Sequence, residues 1–466
     1  MTIQLTRRSV ALGAIAAATP FSAAAQAEPF TRIEAEIATA LAAHSLVGLT
    51  TAVVHRGEIV HVNGYGRASV PFSAPVTSQT LFQVGSLGKQ FTAYAVLKLV
   101  EAGRIRLDQP VGAHVSGLPA AWGAATLYQL LHHIGGLPAY EGGEFEWDRP
   151  ITRDSLIANA GETPYFPPGE AWVYSNTGYA VLGWLLEDVS GQSYADHIQT
   201  QIFAPLGMQD SRADDGEAAI VNRAEPYVMA DGAIRHATRM TSSVSALGDG
   251  GLLVSARDYA RWFQELRAPT LISAASERMM RAPAILNSGL RAPYGMGWVL
   301  DRVRGRELVA HSGGVPGFIS YAVWSPQDDT ASFVSSNLAS SSAFAAARTL
   351  AMELATAHAP DISVRTLEPI RDRNLDRTAV ARALLTRADA LPDTSLFTPN
   401  MRRAFSEQTA NDLAPRMPDL TDLTLVEELF FLGLRVRRYR MQRGSRPGPD
   451  HLLFAYDRAG RIAWIF

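Results

Sequence analysis

The chain has 466 residues, more than one compact core accommodates, so two or three domains are expected. A formal net charge of -3 with no basic stripe argues against nucleic acid or any other polyanionic partner. There are no cysteines, which removes disulfides, thiolate catalysis and cysteine-ligated metals together.

Arg7-Arg8 precede a charge-free, alanine-rich stretch from Ser9 to Ala27 that Pro20 interrupts. Ala25-Gln26-Ala27 has the small-x-small form of a signal-peptidase site, so residues 1–27 read as a signal peptide of twin-arginine type. The mature chain is expected to start near Glu28, to keep no stable membrane span and to be periplasmic or secreted. Phe30, Ile33, Ile37 and Leu41 then recur at helical spacing. Leu49 to Val54 and Glu58 to Val62 predict a hairpin around Arg56-Gly57. A helix is expected after Ser86, closed by Gly103, followed by a mostly helical stretch to about Leu266. Strand patterns return at Met296 to Val303, Glu307 to Ala310, Ile319 to Trp324 and Ala331 to Ser335. An alanine-rich helix from about Ser341 to His358 follows.

This order predicts an α+β fold: one antiparallel sheet joining the terminal strands, the two end helices against it, and a helical insert on the other face. A cleft between sheet and insert is the expected active site. Residues 28–360 form this unit, and 361–466 form a smaller α+β unit of unassigned role. In that second unit, helices are expected at Leu375 to Leu391 and Met401 to Leu413. Strands follow at Leu423 to Leu434, Val436 to Arg443, His451 to Tyr456 and Ile462 to Phe466.

Gly85-Ser86-Leu87-Gly88-Lys89 opens the first long helix. Residues three apart share a helix face, so the Ser86 hydroxyl can meet the Lys89 amine. The positive helix N-terminus and nearby cations would favour a neutral amine able to take the serine proton. Lysine occurs only at positions 89 and 98; every other strong base is arginine, which cannot act as a proton acceptor. A nucleophile elbow would need glycine at position 84, and a phosphate-binding loop Ser or Thr at 90. Val84 and Gln90 exclude both.

Two further motifs follow in order: Tyr174-Ser175-Asn176 after Pro167-Pro168-Gly169, and His311-Ser312-Gly313 at a strand. Together the three resemble the penicillin-recognising serine hydrolases: class C β-lactamases, D-Ala-D-Ala carboxypeptidases, D-aminopeptidases and related esterases. Leu130-Leu131-His132-His133, Pro205-Leu206-Gly207-Met208, Tyr294-Gly295-Met296-Gly297-Trp298 and Ser336-Asn337 extend the likeness over about Phe30 to His358. The resemblance implies a β-lactamase/transpeptidase-like fold and an acyl-enzyme on Ser86. Lys89 and Tyr174 would share the proton work. Asn176, His311 and Gly313 would bind substrate, and the backbone N–H groups of Ser86 and Gly314 would form the oxyanion hole. It implies no cofactor and no metal, with a small-molecule or peptide substrate; oligomeric state is left open. D-amino-acid peptides and small esters lead the substrate classes, and a β-lactamase is the alternative. A penicillin-recognising binding or scaffold protein is the alternative of another class.

The chain departs from the β-lactamase pattern at His311, where those enzymes usually carry lysine, and at Ile134-Gly135-Gly136. At its ordinary pKa of about 6.5, His311 would read substrate charge, and carboxylate substrates would lose affinity as pH rises. Outside the motifs, His132 and His133 read as packed or hydrogen-bonded helix residues and Asp249 as a turn residue. Glu141, Glu144, Glu146 and Asp148 read as a solvated loop that would disfavour anionic substrates if it rims the cleft.

Overall fold

The computed structural model describes residues 23–42, 46–141, 145–214, 218–387, 392–406, 409–444 and 450–466. The expected export signal lies outside these residues up to position 22; helix α1 spans Ala23–Ala42 and so includes Ala25-Gln26-Ala27. Strands β1 (Gly48–His55) and β2 (Glu58–Ser69) form the expected hairpin. Its turn needs two left-handed residues, Arg56 (φ 52°) and Gly57 (φ 83°). Helix α2 covers Gly88–Glu101. Two later long helices are α3 (Asn176–Ser190) and α4 (Ala256–Arg267). The strand run is β3 (Val299–Val303), β4 (Arg306–Val315), β5 (Phe318–Ser325) and β6 (Thr330–Ser336), ending in helix α5 (Ser341–Thr356).

The sheet order is β3-β4-β5-β6-β1-β2, with the short strand Ala74–Pro75 at the edge. Antiparallel pairing of β6 with β1 joins the two ends of the unit, Leu49 opposite Ser336 and His55 opposite Thr330. Side chains alternate across the pleat. Leu49 and Val53 face the end helices, packing with Ile33, Ile37, Leu350 and Leu354. Ala52 and Val54 face the opposite core, where Phe91 of α2 and Trp262 of α4 are fully buried and their rings lie 4.4 Å apart. Residues Gly85 to Lys89 therefore emerge between the sheet and the insert.

The insert is less helical than expected. Two three-stranded sheets interrupt it, one including Leu252–Val254, the other including Tyr227–Ala230 and Ala233–His236. Asp231 (φ 51°) and Gly232 (φ 71°) turn that second hairpin, a dipeptide signal that local apolar periodicity concealed.

The C-terminal sheet is an antiparallel meander of β7 (Leu420–Phe431), β8 (Leu434–Arg443), β9 (Asp450–Tyr456) and β10 (Ile462–Ile465). The β7–β8 turn falls at Leu432-Gly433, both left-handed, a little earlier than the strand pattern suggests. Helix α6 spans Leu375–Thr386, while the second expected helix breaks into Pro399–Ala404 and Ala410–Leu413. This unit shares two apolar cores with the first. Phe166, Ala171 and Val173 pack among Leu385, Met401, Tyr439 and Phe454. Ile134, Ala284 and Ala292 pack among Leu434, Val436 and Trp464. Neighbouring residues on β8 point to opposite faces: Arg437 pairs with Asp372 and Glu428, and Arg438 with Glu427 and with Asp301 of β3. Among the described residues, no helix is long and apolar enough to cross a membrane.

Candidate active site

Ser86 lies in a 3-10 turn, Gly85–Leu87, that leads directly into α2. Gly85 has φ +55° and no room for a side chain, because a β-carbon there would lie 2.5 Å from the Gly314 nitrogen. At Gly313 a β-carbon would overlap the Val84 carbonyl oxygen and lie 3.2 Å from the Ser86 nitrogen. Strand β4 thus presses its backbone against the turn that carries Ser86.

Lys89 is fully buried, and its Nζ faces three oxygens. It donates to Asn176 Oδ1 at 2.6 Å, to the Asp249 carbonyl at 2.7 Å and to Ser86 Oγ at 3.1 Å. Burial lowers its pKa to about 8, against the charges of Asp249 and Glu141, which raise it. The sequence argument expected helix potential and nearby cations to do this; desolvation does it instead, and the charged neighbours are acidic.

Ser175 caps α3 by accepting the Gly178 N–H, which makes Asn176 the first helical residue and leaves Tyr174 just before it. The Tyr174 hydroxyl is buried beside Ser86, close enough for that hydroxyl to ease its pKa down but outside hydrogen-bonding geometry. Burial dominates and holds Tyr174 protonated, well above the ordinary phenol value. Its ring lies 4.9 Å from Lys89 Nζ and 4.3 Å from the His133 ring. His133 sits past its helix rather than in it, with φ 58°. Its carbonyl accepts the Val173 N–H and its Nδ1 the Ser175 N–H, so it braces the Tyr174 segment.

Two residues, Glu141 read as part of a solvated loop and Asp249 read as a turn residue, meet the Lys89 cluster. Glu141 is half-buried and accepts a hydrogen bond from Asn176 Nδ2. It is drawn in because Thr177 Oγ1 donates to the Pro138 carbonyl and accepts the Tyr140 N–H, pinning that loop to α3. Glu146 does remain on the surface, paired with Arg149, and Glu144 lies outside the described residues. Asp249 is buried: its backbone carbonyl meets Lys89 and its carboxylate accepts from Tyr140 Oη at 2.8 Å. Gly248 and Gly250 permit this approach, since a β-carbon at Gly250 would lie 3.2 Å from the Gly85 backbone. Burial raises the carboxyl pKa of both Glu141 and Asp249.

His311 does not sit as an exposed, titrating imidazole. Its Nδ1–H donates to the Ser312 carbonyl at 2.6 Å, and its Nε2 accepts from Tyr294 Oη at 2.9 Å. Burial lowers its pKa to about 4; the Ser312 carbonyl pulls upward and the Lys89 charge pushes further down. His311 is therefore neutral through the working range, which overturns its expected role as a reader of substrate charge. The ratio of kcat/KM for a carboxylate peptide to that for a neutral ester should stay flat between about pH 5 and about pH 8. A fall in that ratio centred near about pH 6.5 would return the titration to His311.

Among the described residues, no group of three or more His, Asp or Glu is arranged to hold a metal ion.

A terminal sheet closed by its end helices, with a serine, a buried lysine and a tyrosine meeting at its edge, defines a β-lactamase/transpeptidase-like protein. The beta-lactamase family model matches residues 33–357, and the chain belongs to that family. It is 33% identical to penicillin-binding protein 4* of Bacillus subtilis (strain 168) over 289 residues, 58% of this chain and 63% of that protein. It is 28% identical to a D-aminopeptidase of Gluconobacter oxydans (strain 621H), covering 72% of this chain and 64% of that protein. The chain thus spans less than two thirds of these curated relatives. Among solved structures, the octameric penicillin-binding protein homologue from Pyrococcus abyssi superposes with TM-score 0.62 at 22% identity, over 92% of this chain and 96% of that one. D-amino acid amidase from Ochrobactrum anthropi SV3 gives TM-score 0.62 at 24% identity, over 72% and 99%.

Proposed function

We propose that the chain is an exported serine hydrolase that forms an acyl-enzyme on Ser86 and cleaves amides or esters of substrates bearing a free amine, D-amino-acid amides and peptides foremost. The observation that carries this reading is the buried Lys89 amine, 3.1 Å from Ser86 Oγ and saturated by two further acceptors.

In its neutral form Lys89 has two N–H bonds and one lone pair. The N–H bonds go to Asn176 and the Asp249 carbonyl, and the lone pair faces Ser86. Ser86 Oγ attacks the substrate carbonyl carbon as its proton passes to Lys89. The carbonyl oxygen becomes an oxyanion, received by the Ser86 and Gly314 N–H groups, each worth about 3 kcal/mol to the barrier. Tyr174, kept protonated by burial, serves as a relay rather than as the primary base. It gives its proton to the leaving amine and is resupplied from Lys89. The C–N bond breaks, the amine leaves, and water then hydrolyses the Ser86 ester along the reverse proton route.

Charge supports the substrate class. The charged groups acting on Lys89 are Glu141 and Asp249, and His311 is neutral, so the pocket favours an ammonium over a carboxylate. D-aminopeptidases from two organisms are among the relatives. The test compares D-alanine p-nitroanilide with its N-acetylated form, a chromogenic cephalosporin and a peptide ending in D-Ala-D-Ala. The free-amine substrate is expected to lead by about tenfold or more in kcat/KM, a difference of ~1.4 kcal/mol. Glu141→Gln should shrink that lead. Faster turnover of the cephalosporin or the carboxylate peptide would overturn the substrate class while leaving the Ser86 chemistry standing.

A further inference from the structure

A cavity of about 50 Å³, with Met352 and Val364 among its walls, lies where α5, the connecting segment and the C-terminal sheet meet. Arg348, Thr349 and Thr356 of α5, Ser363 and Arg365 of the connection, and His451 of β9 line it, with Glu353 at one wall. His451 is only 5% exposed, and its Nε2 is buried without a hydrogen-bond partner. Arg440 stands opposite His451 across the β8–β9 ladder.

The charge balance is uneven. Glu353 pairs with Arg365 through one oxygen and with Arg32 at 3.5 Å through the other, Oε2, which is buried and accepts no hydrogen bond. Arg438 is engaged by Asp301 and Glu427. Arg348 and Arg440 have no carboxylate partner among the described residues. Four guanidiniums, those of Arg438, Arg348, Arg440 and Arg365, act on the one imidazole. A buried polar atom left without a partner is destabilising, and such groups mark places where a ligand or water completes the structure. By the same measure one water needs about 10–15 Å³, so the cavity has room for more than a single water and for a compact ion. Thr349 and Ser363 line the cavity, and Thr356 lines it with its hydroxyl donated to the Glu353 carbonyl.

We infer that this cavity binds a small tetrahedral oxyanion of the phosphate class, held by Arg348, Arg440 and the His451 Nε2–H. The ion bridges the end helix of the first unit and the sheet of the second. It is remote in sequence from the Ser86 motifs and independent of their chemistry.

The probe is inorganic phosphate added to the full chain, against equal ionic strength of sodium chloride. Calorimetric titration is expected to show saturable binding to one site, and the melting temperature should rise with phosphate until that site fills. Arg348→Gln combined with Arg440→Gln should abolish both effects. These side chains are part-exposed and unpaired, so the variant is expected to fold; Arg348→Glu alone is the second variant. Glycerol phosphate in a parallel titration separates a free ion from a phosphate monoester as the occupant. Absence of saturable heat in the parent, or an equal thermal shift in parent and both variants, overturns the inference, since surface exclusion of phosphate stabilises any protein alike.

Discussion

Lys89→Met is expected to lower Ser86 acylation by about 10³-fold, within the usual range for loss of a positioned general base. Methionine matches the lysine stem in length and can fill the same fully buried space. It leaves the Asn176 amide and the Asp249 carbonyl short of a donor, yet it also removes the burial of an ionisable amine, so the fold should survive. The pH profile supplies the specific signature. The Lys89 pKa is lowered to about 8, so parent acylation should climb with pH and level off above that value. The same shift has a stability consequence of known sign. The unfolded chain binds the Lys89 proton up to about 10.4 and the folded chain releases it near 8, so between those values the unfolded state holds more protons. Stability contributed by this group therefore rises with pH across that window. Lys89→Met should lose both the kinetic climb and that stability slope. Labelling by a fluorescent penicillin or a fluorophosphonate measures acylation, with Ser86→Ala as the unlabelled control. Near-parent acylation in Lys89→Met, or an adduct mapped to a residue other than Ser86, would remove Lys89 or Ser86 from the roles given them.

The Ser86–Lys89 pairing was legible because its spacing is short-range, three residues across the start of α2, whereas the helix that Ser175 caps was not read from the sequence. The sheet was legible for a similar reason, since alternation and the Arg56-Gly57 turn are local signals. What reaches the site from elsewhere was not. Asp249 contributes a backbone carbonyl, which every residue carries, so nothing in its side chain announces the contact with Lys89. Glu141 is one of four acids in a loop, and only the long-range bonds of Thr177 single it out. The burial that lowers the Lys89 and His311 pKa values is likewise a property of packing, not of either residue type.

Trp464→Ala should show that the C-terminal sheet acts on the site from behind. If residues 361–466 were a separable unit, a chain ending near Pro360 would fold and keep some ester hydrolysis. The contacts point the other way. Trp464 Nε1 donates to the Arg291 carbonyl at 2.8 Å, and its ring packs edge-on against Trp172 at 6.4 Å. Trp172 in turn lies 6.0 Å from the ring of Tyr294, which holds His311. Val173, between Trp172 and Tyr174, is buried in the core shared with Met401, Tyr439 and Phe454. Removing the whole unit would uncover Phe166, Ala171, Val173, Ile134 and Ala284 together, and the truncated chain is expected to aggregate rather than work. The point substitution is the sharper test, because it leaves the fold to report on itself. Loss of a buried tryptophan should cost about 3–5 kcal/mol. Slackening of the Trp172–Tyr174 segment should then lower kcat more than it raises KM, because the part proposed for Tyr174 is proton transfer rather than substrate binding. Trp464→Phe keeps most of the packing and should restore most of kcat. A soluble, cooperatively folded Trp464→Ala protein with parental kcat would show that the second unit only covers the first.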